Sequence, residues 1–223
     1  MNGCDILNPD PALEIYVIAL KGGTLGLFAP TDLLQLFEEQ SDDRVRRSIA
    51  WLSSHRFGVV AWLGRVFDSA HGYYVRLEAR IDPIERILKA MGTAKQHVVL
   101  YSPTRERRLI EKHIAARWRR ERVKHLVWFI VDLGLSAASL TIAWVPGPNI
   151  IGWYPFLRSL SHFGAFTGVR QAQRDGVMKF KDLPELRSLE ENLHAPGFDR
   201  TKIHEMVKDL RISGLEQYLE RMF

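Results

Sequence analysis

The chain has 223 residues, 46% of them hydrophobic, and a mean hydropathy of −0.13, which suits one domain with appendages around a sizeable core and excludes a protein lying mostly in lipid. A net charge of +5 invites an acidic partner, either nucleic acid or an anionic membrane surface. The single cysteine, Cys4, excludes an internal disulfide framework and fits a reducing compartment.

The start, MNGCDILNPDPALEIY, has no basic region before an apolar run and is acidic where a mitochondrial presequence is Arg-rich. No secretory or mitochondrial leader is expected from it, and a bacterial origin is the default. LEIYVIAL, residues 13–20, is rich in β-branched and aromatic residues and stops at a KGG turn, which predicts a strand. GGTLG, residues 22–26, lacks the spacing of a phosphate-cradling loop and reads as a plain turn. Helices are expected at 31–39, with Thr31 as cap, and over about 44–68. In RIDPIERILKAM, Asp82, Pro83 and Glu85 stand in the order of a helix N-cap, first turn and capping partner. HVVLYSP, residues 97–103, predicts a second strand, so residues 1–103 read as a small α+β unit.

Residues 104–125, TRERRLIEKHIAARWRRERVKH, hold nine Lys and Arg against three Glu, a local charge of about +6 that exceeds the net charge of the whole chain. Ile110, Ile114 and Trp118 recur every four residues and give this basic helix an apolar seam. Arg117, Arg119, Arg120, Arg122 and Lys124 are candidate contacts for anionic lipid headgroups, worth about 1 kcal/mol each. Nucleic acid is a poor alternative, because aromatic interleaving stops at Trp118 and no nucleic-acid fold signature is present.

LVWFIVDLGLSAASLTIAWV, residues 126–145, has one charge, Asp132. Twenty residues of helix cross a hydrocarbon core of roughly 30 Å. The ten Leu, Ile, Val and Phe side chains contribute roughly −3 to −6 kcal/mol to insertion and a central Asp costs about 2.5 to 3.5, so hydropathy leaves the span marginal. PGPN at 146–149 breaks the helix, and an apolar leg, 149–168, returns with helix from about Pro155. Arg170, Arg174, Lys179 and Lys181 follow, and positive charge on both flanks predicts a hairpin with both ends on the cytoplasmic side. The segment 104–181 is thus a basic helix plus hydrophobic hairpin, and 182–223 a water-soluble tail. Pro184 opens one tail helix, Asp199 or Thr201 caps a second, and Gly214 separates a last turn.

About a turn near Gly147, Asp132 lies fifteen residues before and His162 fifteen after, so the acid and the imidazole can meet. Tyr154, Arg158 and His162 at four-residue spacing share one helical face. Ionisable groups in such a segment often mark an ion or proton path. The plainer reading is that Asp132 pairs with Arg158 or His162 to neutralise buried charge and fix the hairpin register. A second plain reading makes the hairpin a buried pair of core helices in a soluble protein. Ser161 and His162 are adjacent and point apart on a helix, and the histidines at 55, 71, 97, 113, 125, 194 and 204 show no metal-ligand spacing. No enzyme, metal or cofactor is expected.

PGPNIIGWYPFLRSLSHFGAFTG resembles the signature of the mitochondrial potassium-proton exchange-related family, through Pro146, Pro148, Asn149, Tyr154, Arg158, Ser161, His162, Ala165 and Gly168. RIDPIERILKAM and VVLYSP resemble that family's segments before and within its second strand. Gly164 departs from the pattern, where a larger residue is expected. The resemblance implies an inner-membrane protein implicated in potassium-proton exchange, with no catalytic residues to carry over. The resulting expectation is a mainly α protein with a small α+β N-terminal unit, a hydrophobic helical hairpin and C-terminal amphipathic helices. It would be an accessory or oligomeric component of cation homeostasis in the bacterial cytoplasmic membrane, or the mitochondrial inner membrane in a eukaryote. Its partners would be anionic lipids and either its own copies or a membrane protein, since one hairpin encloses no pore. The alternative is a soluble or peripheral helical interaction module with the hairpin as its core.

Overall fold

A computed structural model describes residues 11–20, 24–53, 82–142, 150–174, 178–195 and 200–222. The described chain is mostly helical, with one four-stranded sheet of β1 (Leu13–Ala19), β2 (Leu25–Phe28), β3 (His97–Tyr101) and β4 (Met178–Asp182) in the order β2-β1-β3-β4. β1 pairs antiparallel with β2 and parallel with β3, and β3 pairs parallel with β4.

β1 is apolar on both faces because both faces are covered, the usual state of a parallel strand. Leu13, Ile15 and Val17 enter one core and Tyr16 and Ile18 the other. The sequence reading missed β2 and β4. β2 has only four residues and begins inside the stretch read as a turn. In β4, Met178 and Phe180 pack on the first core while Lys179 and Lys181 are exposed. These two lysines therefore decorate an edge strand, where charge discourages further pairing, rather than flank a membrane segment.

α1 (Thr31–Ser53) is one helix where a break near 40–43 was expected. That stretch, QSDD, has neither Gly nor Pro, and its modest propensity cost does not stop a helix. The rest of the helix expected to 68 lies outside the described residues. α2 (Pro83–Thr93) begins as expected: Pro83 occupies the first turn and the Asp82 carboxylate accepts from the Ile84 N–H at 3.0 Å. Glu85 does not act as a capping partner, because it is buried and its side chain points into the protein.

α3 (Arg107–Ile142) runs unbroken from the basic segment into the apolar one, and α4 (Ile150–Arg174) returns beside it. α4 carries Pro155 in its second turn, so the helix begins before the proline. The seam Ile110, Ile114, Trp118 packs into the first core with the sheet, α2, and Ala165, Val169 and Ala172 of α4. Gly168 and Gly92 mark the closest approach of α4 to α2. A Cβ at 168 would collide with the Leu88 carbonyl, and one at 92 would lie 3.0 Å from the Gly168 Cα. At Gly164 a Cβ would be 3.7 Å from the Lys89 Cγ, an ordinary contact, so a larger residue is not excluded there by the backbone.

α5 (Glu185–His194), α6 (Arg200–Leu210) and α7 (Leu215–Met222) cover the other face of the sheet with Leu186, Leu189, Leu193, Val207, Leu215 and Leu219. Residues of the N-terminal unit, the hairpin and the tail thus share the two cores. Gly214, at φ +80°, supplies the left-handed turn between α6 and α7.

Candidate functional site

Along α3 the buried positions recur every three or four residues as far as His125 and every seven beyond it, and their chemistry changes half-way. Ile110, Ile114 and Trp118 are followed on the same stripe by Glu121, His125, Asp132 and Ser139, all buried. The helix therefore presents an apolar face to the sheet and a polar one to α4 beyond it. The other sides of this second half are exposed and apolar, through Val127, Trp128, Ile130, Val131, Leu133 and Leu135.

Opposite the polar stripe, α4 offers Arg158, Ser161 and His162, and α2 offers Glu85. Arg158 grips the Glu85 carboxylate with two parallel bonds, Nη1 to Oε1 at 3.1 Å and Nη2 to Oε2 at 3.0 Å, and the Ser161 hydroxyl donates a short bond to Oε1. Burial alone would raise the Glu85 carboxyl, but the Ser161 hydroxyl, Arg158 and Lys89 outweigh it and hold the group below the usual carboxylate range. Both imidazoles are in direct contact, His125 Nδ1 to His162 Nδ1 at 2.8 Å. The far nitrogen of each faces a carboxylate: His162 Nε2 is 3.6 Å from Asp132 Oδ2, and His125 Nε2 is 3.8 Å from Glu121 Oε2. The Trp128 ring lies nearly parallel to His162 at 6.4 Å between ring centroids.

Desolvation dominates the titration of this group. It lowers both imidazoles, His162 to about 4, and raises Asp132. The neutral forms of all three are thereby favoured.

Of the residues singled out in the sequence, Asp132 and His162 do meet. Arg158 joins neither of them in an ion pair, because it spends both guanidinium bonds on Glu85. Tyr154 is about half exposed, and its four-residue spacing within α4 leaves it on the same side of the helix as Arg158 and His162. Ala165 and Gly168 are buried at the crossing with α2. Pro146, Pro148 and Asn149 lie outside the described residues. Among the headgroup candidates, Arg119 and Arg120 are exposed. Arg117 and Lys124 flank Glu121 at 3.9 and 3.1 Å, and Arg122 bonds Gln173 across the hairpin at 3.0 Å.

The sequence reading passed over Glu85, Glu121 and His125. The last two were within reach, since steps of three and then four residues on from Trp118 land on them. Glu85 was hidden by its position in a plausible capping box.

Among the described residues, the donor atoms of Glu85, His125 and His162 come within 4.8 Å of one another, close enough to share a metal. Both Glu85 oxygens are already committed to a guanidinium, which would sit beside any metal ion and repel it. We assign no metal to the cluster.

The membrane-spanning leg expected at 126–145 runs past the described residues, which stop at 142, and finds no support over its described part: no helix, among the described residues, is long and apolar enough to cross a membrane. What the structure defines is an α/β body whose sheet carries a helical hairpin with a buried carboxylate and imidazole row between its legs. A family model described as mitochondrial K+-H+ exchange-related matches residues 61–174, more than half of the chain and the whole of this site from Glu85 to His162, and the chain belongs to that family. No curated protein and no solved structure matches.

Proposed function

We propose that the chain is an accessory component of potassium and proton homeostasis, held at a membrane surface by the apolar part of its hairpin rather than forming a conduit itself. The observation that carries this reading is the exposed run on α3, from Val127 to Leu135, joined by Tyr154, Leu160 and Phe163 on α4. An exposed apolar patch of this extent on one feature marks an interaction surface. Arg119 and Arg120, exposed about two turns before it, supply the charge that an anionic bilayer surface attracts. Trp128 and Tyr154 have the amphipathic rings favoured at the headgroup level. The membrane would be the bacterial cytoplasmic one or, in a eukaryote, the mitochondrial inner membrane. Assembly with its own copies or with a membrane protein belongs to the same proposal.

Flotation with vesicles separates the possibilities. We expect the full chain to float with anionic phospholipid vesicles, less with neutral ones, and the Trp128→Ser/Ile130→Ser variant to stay at the bottom. Potassium-driven proton flux in native membrane vesicles should change when the chain is removed, while the chain alone in liposomes should carry none. Failure to float, with unchanged flux, would sink the proposal. It would leave the second reading, an interaction module whose hairpin is its own core, which the packing of Trp118 and Val169 into the sheet favours.

A further inference from the structure

Glu121, His125, His162 and Asp132 form a row with three gaps: carboxylate to imidazole, imidazole to imidazole, imidazole to carboxylate. All four residues are more than nine-tenths buried. Each gap is bridged by one proton when a donor faces an acceptor across it. A neutral imidazole has a single N–H, so two neutral rings bring two protons to three gaps. One of the two lies between the rings, as their 2.8 Å contact requires. The other satisfies one carboxylate, and at the opposite end a ring lone pair faces carboxylate lone pairs. The row with ionised carboxylates is one proton short. Its open ends are visible in the atoms: neither His125 Nε2 nor Asp132 Oδ2 has a hydrogen-bond partner, and the outer gaps, 3.8 and 3.6 Å, are too long for a bond.

We propose that this row is a one-proton binding site, with Asp132 as the seat of the proton and the two imidazoles as the wire that reports it to Glu121.

The two ends are not equivalent. Glu121 Oε2 already accepts from the Lys124 ammonium at 3.1 Å and Oε1 faces Arg117 at 3.9 Å. Asp132 Oδ2 has no hydrogen-bond donor; the Arg158 charge favours its ionised form and the Glu85 charge opposes it. A proton arriving from solvent bonds to Oδ2, and the new O–H donates to His162 Nε2. His162 then carries its own proton on Nδ1 and donates it to His125 Nδ1, and His125 donates from Nε2 to Glu121. All three gaps are filled, both rings remain neutral, and the row gains one positive charge. Losing that proton lets both rings return to the opposite tautomer. Of the other charged groups facing the rings, Glu85 on α2 favours a proton, while Lys89 on α2, Lys124 on α3 and Arg158 on α4 oppose it. Desolvation keeps the rings neutral while lifting Asp132, which agrees with this seat. From Glu121 to Asp132 is eleven residues of helix, so the ordered path spans about 16 Å along the hairpin.

The test is a pH titration of the full chain with ¹⁵N-labelled histidine and ¹³C-labelled aspartate, followed by NMR. The ring ¹⁵N shifts distinguish the two neutral tautomers from the imidazolium. As pH falls, Asp132 should take up its proton above the ordinary aspartate range, and in that step both rings should switch tautomer together without becoming charged. Asp132→Asn should abolish the switch at His125, which it does not touch. Glu121→Gln should lower the Asp132 midpoint by about half a pH unit, the effect of removing one charge at that distance. Independent imidazolium titration of the two rings would overturn the proposal. So would a His125 response that survives Asp132→Asn, or an Asp132 midpoint indifferent to Glu121→Gln.

Discussion

Replacing Glu85 by glutamine removes the charge that receives Arg158 and Ser161 while keeping the side chain's shape. Arg158 then lies beside a neutral amide, and we expect a loss of about 1.5 to 3 kcal/mol in urea unfolding, the range for hydrogen bonds to a charged group. The sign of the pH effect follows from the lowered carboxyl. Its stabilisation is present above the unfolded value near 4.3 and disappears as pH falls through the lower folded value. The wild type should therefore lose stability below about pH 4 more steeply than Glu85→Gln. Gly168→Ala tests a backbone contact instead. Its methyl has no room against Leu88, so α4 must move away from α2, at a cost of at least about 1 to 3 kcal/mol. Gly164→Ala, one turn earlier, should be tolerated or mildly stabilising, because its Cβ meets only the Lys89 side chain and alanine is the better helix former.

At the scale of the element, the hairpin owes its register to polar contacts rather than to an apolar seam over its outer half. The buried imidazoles make that half acid-sensitive. Their folded values lie below the unfolded 6.5, so the unfolded chain takes up protons first as pH falls, and stability declines from about pH 7 toward His162's value of about 4. His162→Gln should flatten this decline, as seen by thermal melts at pH 7, 6 and 5; an unaltered slope would remove His162 from the account. The hairpin itself was legible in the sequence, because PGPN and two apolar runs leave little else, and the meeting of Asp132 with His162 follows from counting residues from the turn. The burial of the basic segment's seam in the sheet core was not legible. An Ile, Ile, Trp stripe on a cationic helix is the same pattern whether lipid or a sheet covers it, and the partner strands lie on both sides of it in sequence.

For the whole molecule, the tail completes the fold by covering the sheet face that Tyr16, Ile18, Phe28 and Leu100 would otherwise expose. Leu189→Ala, at a fully buried contact of α5, should cost about 2 to 5 kcal/mol in the unfolding of the entire chain, hairpin included. A separate transition of the tail, leaving the site's signals in place, would show that the two cores melt apart. The sequence identified these helices from their amphipathic spacing but not the surface they meet, since that surface is shared among β1, β3 and the four-residue β2, which is too short to stand out. The parallel pairing of β3 with β4 carries one more consequence. Everything between them, residues 102–177, is a single excursion whose two ends are fastened side by side by ladder bonds. A fastening of that kind sets where the excursion starts and finishes but not how far it reaches. The outer turns can therefore be lengthened or trimmed in matched pairs, and the reach of the hairpin becomes a dimension that a lineage, or an experimenter, can adjust without disturbing the sheet.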